Sequence, residues 1–417
     1  MATETSWLPR IEYLNLPSWS DQNASAKREA KGRLLKELTA SPPSFLTGQV
    51  DVDELSARLA EYSWVKNLIL IGNGGSVWSF MAFAKALLPL ATLKRIYALT
   101  DMEPGYLQEV MGECPFESSL VVVVSKSGST IGVIENLIAL GQYQKLFVTD
   151  PGSPIGQLAD YYQATLIEHP VVGGRYTAFT NSAAVPSLVM GLDFEQILAG
   201  GRLAYREYGV DNLTESAANE AFELAWVIYQ AELNGFTEIF APIYSNYYET
   251  FALVLTQLIH ESFGKAGQGP TILAVKAPES QHHTNQRYFG GRANMFGLFI
   301  VAESTGSESR QEEIKLVIPS EIADIECRGV KLGQFDGLSL SQSFAAESAG
   351  TIGDAKSKNK PAAVVRLPAV SPEAVGAWMG FLHYFTVYSS LLRGVDPYDQ
   401  PQVEDSKAIS VKIRLNR

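Results

Sequence analysis

Cysteine is nearly missing from this chain of 417 residues: it has two, Cys114 and Cys327. They lie far apart, without metal-ligand spacing, so neither a disulfide framework nor a structural zinc site is expected, and both read as free thiols of a reducing compartment. Net positive charge is also lacking. Against 33 lysines and arginines stand 45 aspartates and glutamates, a formal charge of −12. Such a field does not hold nucleic acid, and an anionic ligand would need local devices: hydroxyls, backbone N–H groups, a helix N-terminus and a few chosen cations. The stretch Met1–Pro9 has no apolar run, so no secretory leader is expected. The uncharged stretch Ala374–Leu392 almost has membrane-spanning length, but it contains His383, Tyr384, Thr386, Tyr388, Ser389 and Ser390. A buried helix is expected there, and no membrane. What remains is 46% hydrophobic and 19% charged, the composition of a globular protein too long for one ordinary core.

Residues 21–40 read as a helix with Leu34, Leu35 and Leu38 on its apolar stripe, and 51–63 as another. A rhythm of strand, loop and helix then begins. Asn67–Ile71, Arg95–Leu99, Ser119–Val124 and Lys145–Thr149 are strand-like, with helices running to Leu88 and over Thr130–Gly141. After Asp193 the pattern is helical to about Gly235. A second series follows: strands at Glu238–Ala241, Thr271–Val275, Met295–Val301, Glu313–Ile318 and Ala362–Leu367, with a long helix over Tyr247–Phe263. Apolar strands alternating with helices predict α/β architecture: two three-layer αβα domains with mainly parallel sheets. The expected division is 1–45 as an N-terminal helical extension, 46–210 and 211–393 as the two domains, and 394–417 as a C-terminal segment. Residues 345–361 are expected as an exposed loop.

Two strand-to-helix turns carry ligand chemistry. Ser125-Lys126-Ser127-Gly128-Ser129-Thr130 has four hydroxyls in six residues, where a helix start leaves N–H groups unpaired. An N-cap turn with surplus serines is the plainer alternative; the density of hydroxyls favours a phosphate site. Gly72-Asn73-Gly74-Gly75-Ser76 occupies the corresponding place after an earlier strand. Its spacing is not that of a dinucleotide loop, and Asp101 is poorly placed as a ribose partner. One small phosphorylated ligand accounts better for both turns.

These two loops resemble the sugar isomerase (SIS) domain, and further motifs in order resemble the glucose-6-phosphate isomerase family. They are Val172-Gly173-Gly174-Arg175-Tyr176-Thr177, His260-Glu261-Ser262-Phe263-Gly264-Lys265, Gln281-His282-His283-Thr284-Asn285-Gln286 and Asp396-Pro397-Tyr398-Asp399-Gln400-Pro401-Gln402-Val403-Glu404-Asp405-Ser406-Lys407. They span most of the chain. Gln402 stands where the family usually has glycine, and the first loop reads G-N-G-G-S where the family has G-I-G-G-S.

The resemblance implies SIS-type, flavodoxin-like domains and an isomerase of glucose 6-phosphate and fructose 6-phosphate that needs no metal or cofactor. It implies Glu261 as the base that moves the proton, Arg175 as the cation at the enediolate, His282 for ring opening and Lys407 beside it. Gly75, Ser76, Ser125, Lys126, Ser127, Thr130, Gln257 and Gln400 would hold the substrate. It further implies a cytoplasmic homodimer, with His282 delivered to the neighbouring subunit. By position alone, Glu261 also reads as a helix-end carboxylate answered by Lys265, and Arg175 as a structural ion pair. His282 and His283 also read as an ordinary loop pair or a metal site, though no carboxylate or thiol cluster accompanies them, and Lys407 as a tail lysine. A bifunctional isomerase that also takes mannose 6-phosphate is the nearest functional alternative. A non-catalytic sugar-phosphate sensor is the alternative from another class; it would need only the serine loop.

Overall fold

The computed structural model describes residues 4–17, 24–47, 50–88, 94–214, 218–303 and 314–415. Its strands are β1 (Arg10–Leu14), β2 (Asn67–Ile71), β3 (Arg95–Leu99), β4 (Ser119–Ser125), β5 (Gln144–Thr149), β6 (Thr165–Glu168), β7 (Glu238–Tyr244), β8 (Thr271–Lys276), β9 (Met295–Ala302), the short pair β10 (Glu326–Cys327) and β11 (Val330–Lys331), and β12 (Ala362–Leu367). The helices of the first half are α1 (Ala24–Ala40), α2 (Val52–Leu59), α3 (Gly75–Leu87), α4 (Pro104–Glu113), α5 (Ile131–Ala139), α6 (Pro154–Tyr162), α7 (Asn181–Met190) and α8 (Phe194–Tyr208). Those of the second are α9 (Glu220–Leu233), α10 (Phe251–Phe263), α11 (Thr284–Gly290), α12 (Leu340–Ser357), α13 (Pro372–Leu392) and α14 (Glu404–Leu415).

The first sheet runs β3-β2-β4-β5-β6 and is wholly parallel. Counted within its own half this is the order 2-1-3-4-5, that of a flavodoxin-like sheet. The second runs β8-β7-β9-β12 in parallel, the same 2-1-3-4 order, and β1 closes its edge antiparallel to β12. The fold is therefore two αβα units with mainly parallel sheets. Along β4, Leu120, Val122 and Val124 enter one core while Val121 and Val123 enter another. That alternation is why the strand is apolar without a break: both of its faces are covered. Helices α4, α5 and α6 cover the outer face of the first sheet, and α11 and α12 that of the second.

Between the sheets lies one continuous core to which both halves contribute. Its axis is α13, buried throughout Ala374–Leu392. The helix expected from the uncharged stretch is therefore present, and no described helix is long and apolar enough to cross a membrane. Helix α13 meets α8 almost backbone to backbone. A Cβ at Gly376 would stand 2.0 Å from the Ile197 carbonyl oxygen, and one at Gly200 would stand 1.9 Å from that of Glu373. Only glycine permits this approach.

Several expectations need correction. Residues 345–361 do not form a loop: 340–357 is helix α12, started by a capping box between Ser339 and Gln342. Residues 314–318 are not a strand; Lys315 makes a single bridge to Ser339, and Ile314 and Val317 face solvent without a sheet to join. Glu313 lies outside the described residues. The N-terminal segment is not helical throughout, because β1 belongs to the second sheet. The cysteines are free: Cys327 is exposed, and burial pushes the thiol of Cys114 up to about 11.

His383 lies in the middle of α13, fully buried among Phe45, Tyr176 and Phe179. Its Nδ1 shares a hydrogen bond with the Tyr205 hydroxyl at 2.6 Å. Burial lowers its pKa from 6.5 to about 3. The unfolded chain therefore takes up a proton near pH 6.5 that the folded chain refuses until about pH 3. Its contribution to stability is complete above pH 6.5 and falls by about 1.4 kcal/mol per pH unit as the pH drops below it. Melting curves between pH 7 and 5 should show a steeper loss for the wild type than for His383→Gln, which keeps an acceptor for Tyr205. Parallel slopes would rule the assignment out.

Candidate active site

The two candidate ligand loops leave the carboxyl ends of β2 and β4, neighbours at the point where strand order reverses. This is where doubly wound sheets bind ligands. In the second loop Ser125 is buried and its Oγ accepts from the Gly128 N–H at 3.2 Å, while Ser127 Oγ accepts from the Ser129 N–H at 3.3 Å. Gly128 has φ +57, and a Cβ there would stand 1.9 Å from Ser153 Oγ. Lys126, Ser127, Ser129 and Thr130 are left at the surface, and Thr130 caps α5 without using its side chain. Desolvation, then the charge of nearby Arg175, holds the Lys126 ammonium below its ordinary pKa. A dianion bound here would relieve that repulsion.

The first loop turns through Gly74, at φ +59, into the buried start of α3 at Gly75 and Ser76. It is pressed against the segment that carries Arg175. A Cβ at Gly75 would lie 2.3 Å from the Gly174 carbonyl oxygen and 2.5 Å from the Arg175 Cα, and one at Gly74 would lie 2.6 Å from Gln257 Nε2. The glycines thus bring the loop, Arg175 and Gln257 into one place.

Glu261 sits in the last turn of α10, which packs on α3, on the 174–179 turn and on α13. Its Oε2 accepts from Gln257 Nε2 at 3.2 Å, one helical turn back, and stands 3.3 Å from Arg175 Nε. The carboxylate is one-third exposed, so a ligand can reach it, whereas Arg175 is 2% exposed. Nη1 of Arg175 donates to Ser262 Oγ at 3.2 Å and to the carbonyls of Pro397 and Asp399. Nη2 donates to the carbonyls of Tyr398 and Asp399 and to Gln400 Oε1. Both Nη groups of the guanidinium are therefore engaged by protein, and Nε stands in ion-pair range of Glu261. The sequence leaves a structural ion pair and a reactive cation as rival readings of Arg175; the geometry makes it a hub that holds Glu261 and residues 397–400 together.

Of the residues expected from the sequence, Glu261, Arg175, Gln257, Gln400, Gly75 and Lys126 come together. His282 does not join them: it ends the short helix Glu279–His282 beyond β8, exposed, and makes no described contact with Glu261 or Arg175. Its neighbour His283 caps α11, its Nδ1 accepting from the Thr284 N–H at 2.7 Å. Lys407 lies exposed on α14 and pairs with Glu404 at 2.7 Å. Helix α14 is tied to the first half by Arg414, which donates to Glu135 of α5 at 2.8 and 3.2 Å. The sequence assigns no role to Ser262, Tyr176 or Asp399, which meet Arg175 or its neighbours, and it reads Lys265 as the answer to Glu261, whereas Lys265 pairs with Asp399. The only signal for them is their presence inside the motifs. Among the described residues no three His, Cys, Asp or Glu side chains are grouped to hold a metal ion.

No family model matches the chain. It is similar over 411 residues, at 28% identity, to a glucose-6-phosphate isomerase from Rubrobacter xylanophilus, covering 92% of this chain and 90% of that protein. A glucose-6-phosphate isomerase from Thermus thermophilus is 26% identical, covering 98% of each. Among solved structures, a hypothetical protein from Thermus thermophilus superposes with a TM-score of 0.82 at 24% identity, covering 98% of this chain and 100% of that one. A glucose-6-phosphate isomerase from Chlamydia trachomatis superposes with a TM-score of 0.67 at 21% identity, covering 87% of this chain and 73% of that one.

Proposed function

We propose that this chain, which resembles glucose-6-phosphate isomerases over nearly its whole length, is itself an aldose–ketose isomerase that interconverts D-glucose 6-phosphate and D-fructose 6-phosphate. The observation that carries the reading is the Gln257–Glu261–Arg175 constellation, set beside the serine loop at the switch point of the first sheet.

The reaction moves one proton between adjacent carbons and leaves the overall oxidation state of the sugar unchanged, so no redox cofactor is called for. The phosphate sits in the loop of Ser125, Lys126, Ser127 and Thr130, with Gly75 and Ser76 closing on it from the first loop. Glu261 removes the proton from one carbon and returns it to the next, through a cis-enediolate. Its partial exposure and its two orienting partners suit a base that must both reach the substrate and hold still. Arg175 contributes its fixed charge beside the developing oxyanion. Gln400, held on Arg175, orients the sugar hydroxyls with Gln257. His282 opens the ring and Lys407 assists it. The exposure of His282, away from Glu261 of its own chain, suits its delivery to the site of a second copy, so the reading includes a homodimer. The cell compartment in this reading is the cytoplasm, and the role is in sugar-phosphate breakdown and synthesis (glycolysis and gluconeogenesis).

A coupled assay with fructose 6-phosphate, in the presence of chelator, tests the reading. Glucose 6-phosphate should appear at a rate proportional to enzyme. Fructose 6-phosphate that raises the melting temperature without being turned over would instead identify a sugar-phosphate sensor. Turnover of mannose 6-phosphate in the same assay would widen the substrate class.

A further inference from the structure

Lys265 and Asp399 belong to the sequence motifs, yet the reaction as proposed gives them nothing to do. Lys265 follows Glu261 by one helical turn, just past the end of α10. Its side chain is 8% exposed, and its Nζ donates to the carbonyls of Asp396 and Asp399, the latter at 2.7 Å, and pairs with the Asp399 carboxylate. Three donors thus meet three acceptors on one short segment. From the other side Arg175 takes the carbonyls of Pro397, Tyr398 and Asp399 and the amide oxygen of Gln400. Four consecutive carbonyls, 396–399, therefore turn toward two cations, and both cations share that of Asp399. The Tyr176 hydroxyl adds a bond to the Pro397 carbonyl at 3.3 Å and touches Ser262 Oγ, itself a partner of Arg175.

We propose that Lys265 and Asp399 form a clasp that positions Arg175, and through it Glu261; the assignment rests on the isomerase reading of this site. Arg175 has no anchor of its own on residues 396–400 unless that segment is held, and Lys265 is the group that holds it to the end of α10. Releasing the segment leaves the two Nη groups, apart from the bond to Ser262, a movable set of acceptors. A shift of about 1 Å in a group that orients the base is enough to lose on the order of a hundredfold in rate. The Asp399 carboxylate is half exposed, so its pair with Lys265 adds little to global stability and acts on local order.

The test uses Lys265→Met, Lys265→Arg, Asp399→Asn and the double variant Lys265→Met/Asp399→Asn. Each is measured by steady-state kinetics with fructose 6-phosphate and by hydrogen–deuterium exchange. Lys265→Met should lower kcat about 30-fold with KM within about threefold, and Lys265→Arg should recover most of the loss. The double variant should be no worse than Lys265→Met, because the two residues act as one unit. Exchange at 396–400 should accelerate in Lys265→Met while α10 keeps its protection. Unchanged kinetics in Lys265→Met, additive losses in the double variant, or exchange that rises across the whole chain without rescue by arginine would each overturn the clasp. A wild type without turnover overturns the isomerase reading and the catalytic half of the clasp with it; the exchange measurements still decide whether Lys265 holds the segment.

Discussion

Glu261→Gln will lower kcat for fructose 6-phosphate by about a thousandfold while leaving KM within a few-fold of the wild type. The substitution removes the carboxylate that pairs with Arg175 and keeps the shape of the side chain. Its amide oxygen can still accept from Gln257 and face Arg175, so α10 and the loops should stay in place. A thousandfold loss corresponds to about 4 kcal/mol of transition-state stabilisation, well above what a lost surface contact produces. Substrate should still stabilise the variant against heat, since the phosphate loop is untouched. A loss of less than about tenfold would remove Glu261 from the role of base, because a positioned general base typically contributes about 10²–10⁴-fold.

The second large effect is on Arg175. Arg175→Met should lower both stability and activity, and the two losses have separate causes. Without the guanidinium, three carbonyls, Ser262 Oγ and Gln400 lose donors, and Glu261 loses its ionic partner. Removing one member of such a buried set costs about 3 kcal/mol or more, which should lower Tm by several degrees. Catalysis should fall by at least about a hundredfold, the scale seen when one oxyanion-stabilising group is lost. Arg175→Lys separates the causes. It restores a charge but not a planar fork, so part of the stability should return while kcat stays low. A melting temperature unchanged in Arg175→Met would show that Lys265 and Tyr176 hold residues 396–400 without the guanidinium.

Where the sequence is informative, the reason is burial on both faces. The strands β2 and β4 are apolar almost throughout because helices cover them on each side, and such runs stand out without knowledge of the fold. Helix α13 is legible for a related reason, its long absence of charge matching a position at the centre of the molecule. The elements that escape are those at edges and surfaces. Strand β1 shows only a five-residue alternation, Arg10-Ile11-Glu12-Tyr13-Leu14, and its partner β12 lies some 350 residues away. Helix α12 is rich in Ser and Gly, a composition that reads as loop; the Ser339–Gln342 capping box is its visible signal. At the site, the motifs locate Glu261, Arg175 and the loops. They do not tell that Arg175 is enclosed, because that depends on backbone carbonyls of 397–399, which any residue types could supply. The positions of His282 and Lys407, both exposed, follow from no pattern of burial at all.

The dependence of Arg175 on residues 397–400 has a consequence for how the protein is made. A ribosome completes both sheets, with β12, before it has delivered the acceptors that the guanidinium requires. Until those residues emerge, a nearly finished molecule carries a charged group in its interior with most of its partners still to come, and the adjoining carboxylate is held from one side only. The candidate site is therefore locked late in synthesis: a released chain ending before residue 396 would hold every strand of both sheets and the serine loop, and would lack the acceptors of Arg175.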